Sequence, residues 1–212
     1  MYFLRPEDDF PPVEMADDEG LLAVTSFLNK DRIKNAYQKG IFPWYNEGQP
    51  VLWWSPDPRM VLFPEELKIA KSMRPYLNQQ KFQVTYNAHF EAVIDACAQV
   101  PREGQDGTWI TPEIKKEYAS LFREGFVQSV EVWDGEQLVG GLYGVYLRDK
   151  KVFCGESMFS NKSNASKFGF IKLVQKLQGE GVKLIDCQVY TSHLESLGAR
   201  EIPREEFLKF LK

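Results

Sequence analysis

Apolar residues along this chain recur at strand and helix periods in turn, and the alternation sets out a series of elements. Phe82, Val84 and Tyr86 alternate with polar residues and predict a strand over Phe82–Tyr86. A helix is predicted over Ala88–Val100, then a polar, glycine-containing loop over Pro101–Thr108. Thr111 is a ready helix N-cap with Pro112 in the first turn, so the next helix runs to about Glu124. Ser129–Trp133 and Gln137–Leu147 read as strands joined at Asp134–Gly135, a hairpin signal. Gly140–Gly141 within the second strand marks a bulge or a close backbone approach. Arg148–Lys150 turns into a third strand, Lys151–Phe159. Phe168, Ile171, Val174 and Leu177 then fall on one side of a helix from about Asn164 to Gly179, ended by Gly179 and Gly181. Val182–Tyr190 is the last strand, and Pro203–Leu211 the last helix. Upstream, Pro64–Arg74 reads as a short helix.

Residues 1–60 follow neither period for long. They hold FPP at 10–12, IFPWY at 41–45 and LWWSPDPR at 52–59, with one helix predicted over Asp31–Lys39 and capped by Gly40. Proline at 43, 50, 56 and 58 excludes long helices and central strands there. The chain therefore divides into a small irregular N-terminal domain, 1–61, and a regular C-terminal domain, 62–212. The order in the larger part is β, α, α, β, β, β, α, β, α. A three-stranded antiparallel meander feeds a crossover helix into a parallel strand. That order resembles the GCN5-related N-acyltransferase fold, so the expected class is α/β (α+β) with a mixed sheet.

Polar residues interrupt two of the apolar strands. Asp186 and Gln188 are two apart and share a strand face, with Ile185, Cys187 and Val189 on the other. Glu156 stands alone in Lys151–Phe159. Any one of them has a structural explanation, as a helix cap or a bridge to Lys or Arg. Three on two parallel neighbours, ~5 Å apart, favour a site, because burying an unpaired carboxylate is too costly to be incidental.

Composition narrows the chemistry. The chain is 43% hydrophobic and 26% charged, as globular proteins are. A net charge of −4 argues against non-specific coating of nucleic acid but leaves room for a local basic patch. Lys68, Lys71 and Arg74 step by three along the predicted Pro64–Arg74 helix, with Lys81 beyond it. They form either a solvated face or a surface for the phosphates of a nucleic-acid stem. Cys97, Cys154 and Cys187 are scattered in predicted helix or strand interiors and suggest buried thiols in a reducing cytoplasm. Neither His89 nor His193 pairs with them in any evident way, and no Cys/His cluster has metal spacing. No apolar run spans a membrane, and the acidic, proline-broken start does not read as a signal peptide. Acetyl-CoA enzymes of the resembled fold open the crossover helix with a glycine-rich pyrophosphate loop. Residues 160–167, SNKSNASK, lack those glycines, so CoA is not the expected donor. Trp53 and Trp54 are expected to pack, whereas Trp44 and Trp109 either pack or stack on a nucleobase.

The segments GIFPWY (40–45), LWWSPDPR (52–59), GTWIT (107–111), VGGLYGV (139–145), FCGESMFS (153–160), NASK (164–167), LIDCQV (184–189) and SLGAREIPR (196–204) occur in order over nearly the whole chain. Together they resemble the bacterial leucyl/phenylalanyl-tRNA–protein transferase family. The cysteines point to the cytoplasm, and on oligomeric state the sequence is nearly silent, monomer being the default. The resemblance implies an enzyme that moves Leu or Phe, less readily Met, from aminoacyl-tRNA to the N-terminal Arg or Lys of a protein. Proteins so marked would be degraded by the bacterial N-end rule. It implies that Asp186, acting directly or through Gln188, takes the proton of the attacking amine or orients it. Alternatively the tRNA ribose hydroxyl shuttles the proton. Glu156 would attract the amine or the basic side chain of the acceptor. Trp44 and Trp109 would stack around the terminal adenosine, and Leu142, Met158, Leu173 and Ile185 would line the side-chain pocket. Lys68, Lys71, Arg74 and Lys81 are the candidate tRNA contacts. No cofactor is expected, because the ester is already activated; the chain has no GxxxxGK[ST] loop. A small-molecule N-acetyltransferase, a larger tRNA-dependent cell-wall ligase and a non-enzymatic N-terminus binder are the rival readings.

Overall fold

A computed structural model describes residues 2–101 and 108–212; most of the predicted polar loop Pro101–Thr108 lies outside the described residues. The strands are β1 (Tyr2–Phe3), β2 (Leu21–Thr25), β3 (Phe42–Pro43), β4 (Val51–Trp54), β5 (Arg59–Leu62), β6 (Gln83–Tyr86), β7 (Val127–Asp134), β8 (Gln137–Leu147), β9 (Val152–Ser160), β10 (Leu184–Gln188) and β11 (Arg200–Ile202). The helices are α1 (Lys30–Gln38), α2 (Arg74–Asn78), α3 (Phe90–Ala98), α4 (Pro112–Arg123), α5 (Ala165–Gly179), α6 (Ser192–Ser196) and α7 (Arg204–Leu208).

Two sheets result. The N-terminal residues form a four-stranded sheet in the order β1-β2-β4-β3. The rest form a seven-stranded mixed sheet in the order β11-β5-β10-β9-β8-β7-β6. β7, β8 and β9 are the antiparallel meander. The crossover through α5 brings β10 parallel to β9, as the apolar periods predict. One apolar core, with Phe168, Ile171 and Leu177 of α5, covers one face of the large sheet. A second, with Trp53, Tyr37, Phe90 and Tyr118, fills the space between the other face, α3, α4 and the small sheet.

Local chemistry accounts for the boundaries. Asn29 caps α1 through Arg32 N, and Thr111 caps α4 through Ile114 N, with Pro112 in the first turn. Gly40 and Gly181 end α1 and α5 at φ +76°. Gly140–Gly141 shows the close approach, and the bulge falls one residue earlier, at Val139. The β7–β8 register shifts between Val132 and Trp133. A Cβ on Gly140 would lie 2.8 Å from Ala165 Cβ of α5, and one on Gly141 2.8 Å from the Val130 carbonyl oxygen. Buried Glu131 is a structural carboxylate. It accepts from Thr85 Oγ1 at 2.6 Å, Ser129 Oγ at 2.6 Å and His89 N at 3.3 Å, holding the start of α3.

Three expectations are corrected. The Pro64–Arg74 helix is absent: Pro64–Glu66 and Lys71–Met73 are single 3-10 turns, and α2 begins at Arg74. Between the turns the chain runs extended, with Lys68 N bonded to Leu197 O at 2.9 Å. Lys68, Lys71 and Arg74 therefore do not share one helical face. The sheet is also larger than predicted: β5 and β11 are short and proline-flanked, and the periods conceal them. Finally, strand alternation fails at Asp186 and Gln188, where β10 shifts register against β5 and Gln188 turns to φ +64°.

Close packing makes one glycine indispensable. A Cβ on Gly144 would lie 2.2 Å from the Cys154 carbonyl oxygen. Gly144→Ala should lower unfolding free energy by roughly 1–3 kcal/mol, read as an earlier urea midpoint; an unchanged midpoint would refute the packing argument.

Candidate active site

A cavity of about 450 Å³ opens where β9 and β10 part. Their ladder ends at Asp186 opposite Cys154. Lining residues come from both cores, Phe42, Trp109 and Tyr143 from one and Leu142, Phe170, Ile185 and Cys187 from the other. The cavity thus passes through the sheet. Trp44, 42% exposed, stands at its surface.

Two backbone irregularities deliver the polar groups. Tyr143 pairs with Ser157 and Gly144 with Gly155, so Glu156 is the extra residue of a bulge in β9. Bulges re-aim side chains in this way. Glu156 Oε1 accepts from Gln188 Nε2 at 2.9 Å, and Oε2 from the Tyr118 hydroxyl at 3.1 Å. The Tyr118 hydroxyl in turn lies 2.8 Å from that of Tyr37 on α1. Burial pushes the Glu156 pKa up to about 7, against the opposing effect of the Tyr37 and Tyr118 hydroxyls. Burial first, and then the Glu156 charge, push both phenols well above their ordinary range, so they stay protonated donors.

Asp186 is spoken for. Arg59 Nε and Nη2 donate to its two oxygens at 2.8 and 2.7 Å, and Gln188 N donates to Oδ1 at 2.9 Å. Both side chains of the pair are 1% exposed. The Arg59 guanidinium also lies between the Phe42 and Phe207 rings, 4.8 and 4.7 Å from their centroids. Burial alone would lower the Arg59 pKa, but the Asp186 charge and hydrogen bonds outweigh it and hold it raised. Asp186 is not among the residues lining the cavity, whereas Glu156 and Gln188 are.

Of the other expected residues, Trp44, Trp109, Leu142, Met158 and Ile185 line the cavity. Leu173 does not: it is 1% exposed inside the α5 core, and Phe170, one helical turn earlier, takes the position. Trp53 is fully buried and donates to Thr25 Oγ1 at 3.0 Å, and Trp54 Nε1 donates to the Trp44 carbonyl at 2.7 Å. Lys68, Lys71, Arg74 and Lys81 are exposed and make no ion pair among the described residues. Sequence reasoning passed over Tyr37, Tyr118, Arg59, Phe170 and His193. His193 lines the cavity, and its Nε2 is buried without a hydrogen-bond partner among the described residues. Burial, then the Lys167 charge, push its pKa down. Burial raises the Cys154 and Cys187 thiols above their ordinary range, so neither is an activated nucleophile.

An apolar cavity with one carboxyl group titrating near neutrality suits an enzyme that transfers a group with an apolar side chain. Comparisons make the class specific. Residues 61–212 match the leucyl/phenylalanyl-tRNA protein transferase family model, and residues 28–57 match the model of that family's N-terminal domain. Proteins named leucyl/phenylalanyl-tRNA–protein transferase are 76% identical over 211 residues in Christiangramia forsetii and 59% identical over 212 residues in Flavobacterium johnsoniae. The alignments cover 100% of this chain in both cases, and 100% and 99% of the two relatives. One from Azotobacter vinelandii is 55% identical over 98% of this chain and 91% of its own length. Similar solved structures include a GCN5-related N-acetyltransferase from Kribbella flavida, at TM-score 0.41 and 12% identity, covering 84% of this chain and 63% of its own. L-PGS from Bacillus licheniformis aligns at TM-score 0.43 and 9% identity, over 82% and 57% of the two chains. Both likenesses are too slight to add to the assignment. The chain belongs to the leucyl/phenylalanyl-tRNA–protein transferase family and is an aminoacyl-tRNA–protein transferase. Among the described residues, no helix is long and apolar enough to cross a membrane.

Breaking the buried pair by Arg59→Met should cost about 3–5 kcal/mol of unfolding free energy. The double change Arg59→Met with Asp186→Leu should recover most of it. Equal losses in both variants, measured by guanidinium denaturation, would contradict this account.

Proposed function

We propose that this enzyme moves Leu or Phe, and less readily Met, from aminoacyl-tRNA to the α-amine of a protein beginning with Arg or Lys. The observation that carries the reading is Glu156: a carboxyl group poised near neutrality, on a bulge, at the wall of an apolar cavity lined by Trp109 and by the exposed Trp44. The aminoacyl side chain enters among Leu142, Met158, Phe170 and Ile185. Trp44 and Trp109 stack on the terminal adenosine, and the exposed cations Lys68, Lys71, Arg74 and Lys81 meet tRNA phosphates.

The acceptor amine attacks the ester carbonyl carbon. A C–N bond forms, and the C–O bond to the terminal ribose breaks. The amine yields its proton to the Glu156 carboxylate, which Gln188 and Tyr118 hold in place; Glu156 then returns that proton to the departing ribose oxygen and is again a carboxylate. Asp186 acts as a positioning residue: with Arg59 it fixes the backbone of Gln188. This replaces the expectation that Asp186 receives the proton, because its oxygens are already occupied. We place the reaction in the bacterial cytoplasm, performed by a monomer, with the product marked for N-end-rule degradation.

Leu-tRNA and an Arg-initiated peptide, with no ATP or CoA, should give leucylated peptide, and a Glu-initiated peptide should give none. No transfer by folded protein would sink the reading. Glu156→Gln should cut kcat by roughly 10²–10⁴-fold. A base works deprotonated, so wild-type activity should rise as pH passes upward through about 7, and the variant should lose that limb. An unchanged pH profile would remove Glu156 from proton transfer. Lys71→Ala should weaken tRNA binding evenly across sequences and flatten its salt dependence by about one unit; an unaltered slope would clear Lys71 of phosphate contact.

A further inference from the structure

Among the described residues, almost every glycine has an internal reason. Gly140, Gly141, Gly144 and Gly169 leave no room for a Cβ, whose nearest neighbours would lie at 2.8, 2.8, 2.2 and 2.6 Å. Gly20, Gly40, Gly48, Gly125, Gly135, Gly181 and Gly198 take positive φ. Gly179 sits exposed at the end of α5, where the chain makes little demand on it. Gly155 has none of these reasons. It lies within β9, outside the left-handed region, and among the described residues a Cβ there would meet only the Asp186 carbonyl oxygen, at 3.8 Å. That is ordinary van der Waals contact. A bulge that starts on glycine for backbone reasons needs positive φ, and Gly155 does not have it. Glycine inside a strand is otherwise disfavoured and marks a close approach by a ligand or another backbone.

Among the described residues no backbone atom comes nearer to this space than that oxygen, and Gly155 lines the cavity. Phe153 pairs with Ile185 in parallel register, and by strand alternation Gly155 falls on the Phe153 face, beside Ile185 and Cys187. It lies one residue beyond the last rung of the β9–β10 ladder, where the strands part. Next along the chain is Glu156. The free volume over Gly155 is thus apolar on one side and adjoins the proton acceptor on the other.

We propose that Gly155 is a donor-binding residue. Its missing side chain leaves the gap between β9 and β10 to the aminoacyl group of the donor, whose carbon chain next to the ester lies against the Gly155 backbone. This rests on the aminoacyl-transfer reading of the cavity. A methyl group at 155 fits the protein and competes only with that donor.

The test is Gly155→Ala, assayed beside the wild type with Leu-tRNA, Phe-tRNA and an Arg-initiated peptide, together with thermal unfolding. The variant should melt within ~2 °C of the wild type or above it. Its KM for both donors should rise at least about tenfold, with kcat changed less and the peptide KM unmoved. Wild-type donor KM values in the folded variant would overturn the proposal. So would failure of the variant to fold, because the chain itself would then require glycine. A rise confined to the peptide KM would also overturn it, by giving the gap to the acceptor. Wild-type protein inactive on these substrates would instead fail the aminoacyl-transfer reading, and this inference with it.

Discussion

The buried fork between Arg59 and Asp186 is the contact on which the rest of the site depends. It joins β5 to β10, and the guanidinium is enclosed by Phe42 of the small sheet and Phe207 of α7. Three parts of the chain far apart in sequence therefore meet on one planar cation. Such a pair is weak evidence for stability, since desolvating both charges offsets most of their attraction. Its value lies in geometry. With both oxygens bonded to Arg59, Asp186 still accepts the Gln188 amide, and Gln188 holds φ +64°, where a residue with a side chain rarely sits. That turn brings the Gln188 side chain back to Glu156.

Three acidic side chains in one domain, Glu131 and Asp186 buried and Glu156 half-buried, thus have three different tasks, set by their neighbours. Glu131 is saturated by hydroxyls and backbone amides and anchors a helix. Asp186 is neutralised by a guanidinium and fixes backbone geometry. Among the described residues Glu156 has only neutral donors, the Tyr118 phenol and the Gln188 amide, so burial raises its proton affinity. Hydrogen bonds without a full positive charge are what leave one carboxyl group free to exchange protons near pH 7.

Much of this was legible in the sequence. The meander, the crossover helix and the last parallel strand followed from hydrophobic periods, because each element buries one face. The polar exceptions Glu156, Asp186 and Gln188 were found because apolar strands make them conspicuous. Their division of labour was not legible, since alternation assumes regular strands and both β9 and β10 break register at these residues. Tyr37 and Tyr118 lie on the buried faces of helices, where a tyrosine with a bonded hydroxyl and one that only packs read alike. Arg59 sits in a proline-rich stretch whose period concealed β5. Leu173 and Phe170 both fall on the buried side of α5, and one turn of helix decides which reaches the cavity. The cations at 68, 71 and 74 share no helix, because the chain between the turns Pro64–Glu66 and Lys71–Met73 runs extended.

Tyr37 belongs to α1, in the N-terminal part of the chain, yet its hydroxyl bears on the proton affinity of Glu156 through Tyr118. The two sheets are therefore chemically inseparable as well as packed together. A chimera that exchanged the first 55 or so residues between two relatives would combine the Tyr37, Phe42 and Trp44 of one parent with the Tyr118, Glu156 and Gln188 of the other. A change in α1 packing would therefore reach Glu156 through the Tyr37–Tyr118 contact without altering a residue of the cavity wall.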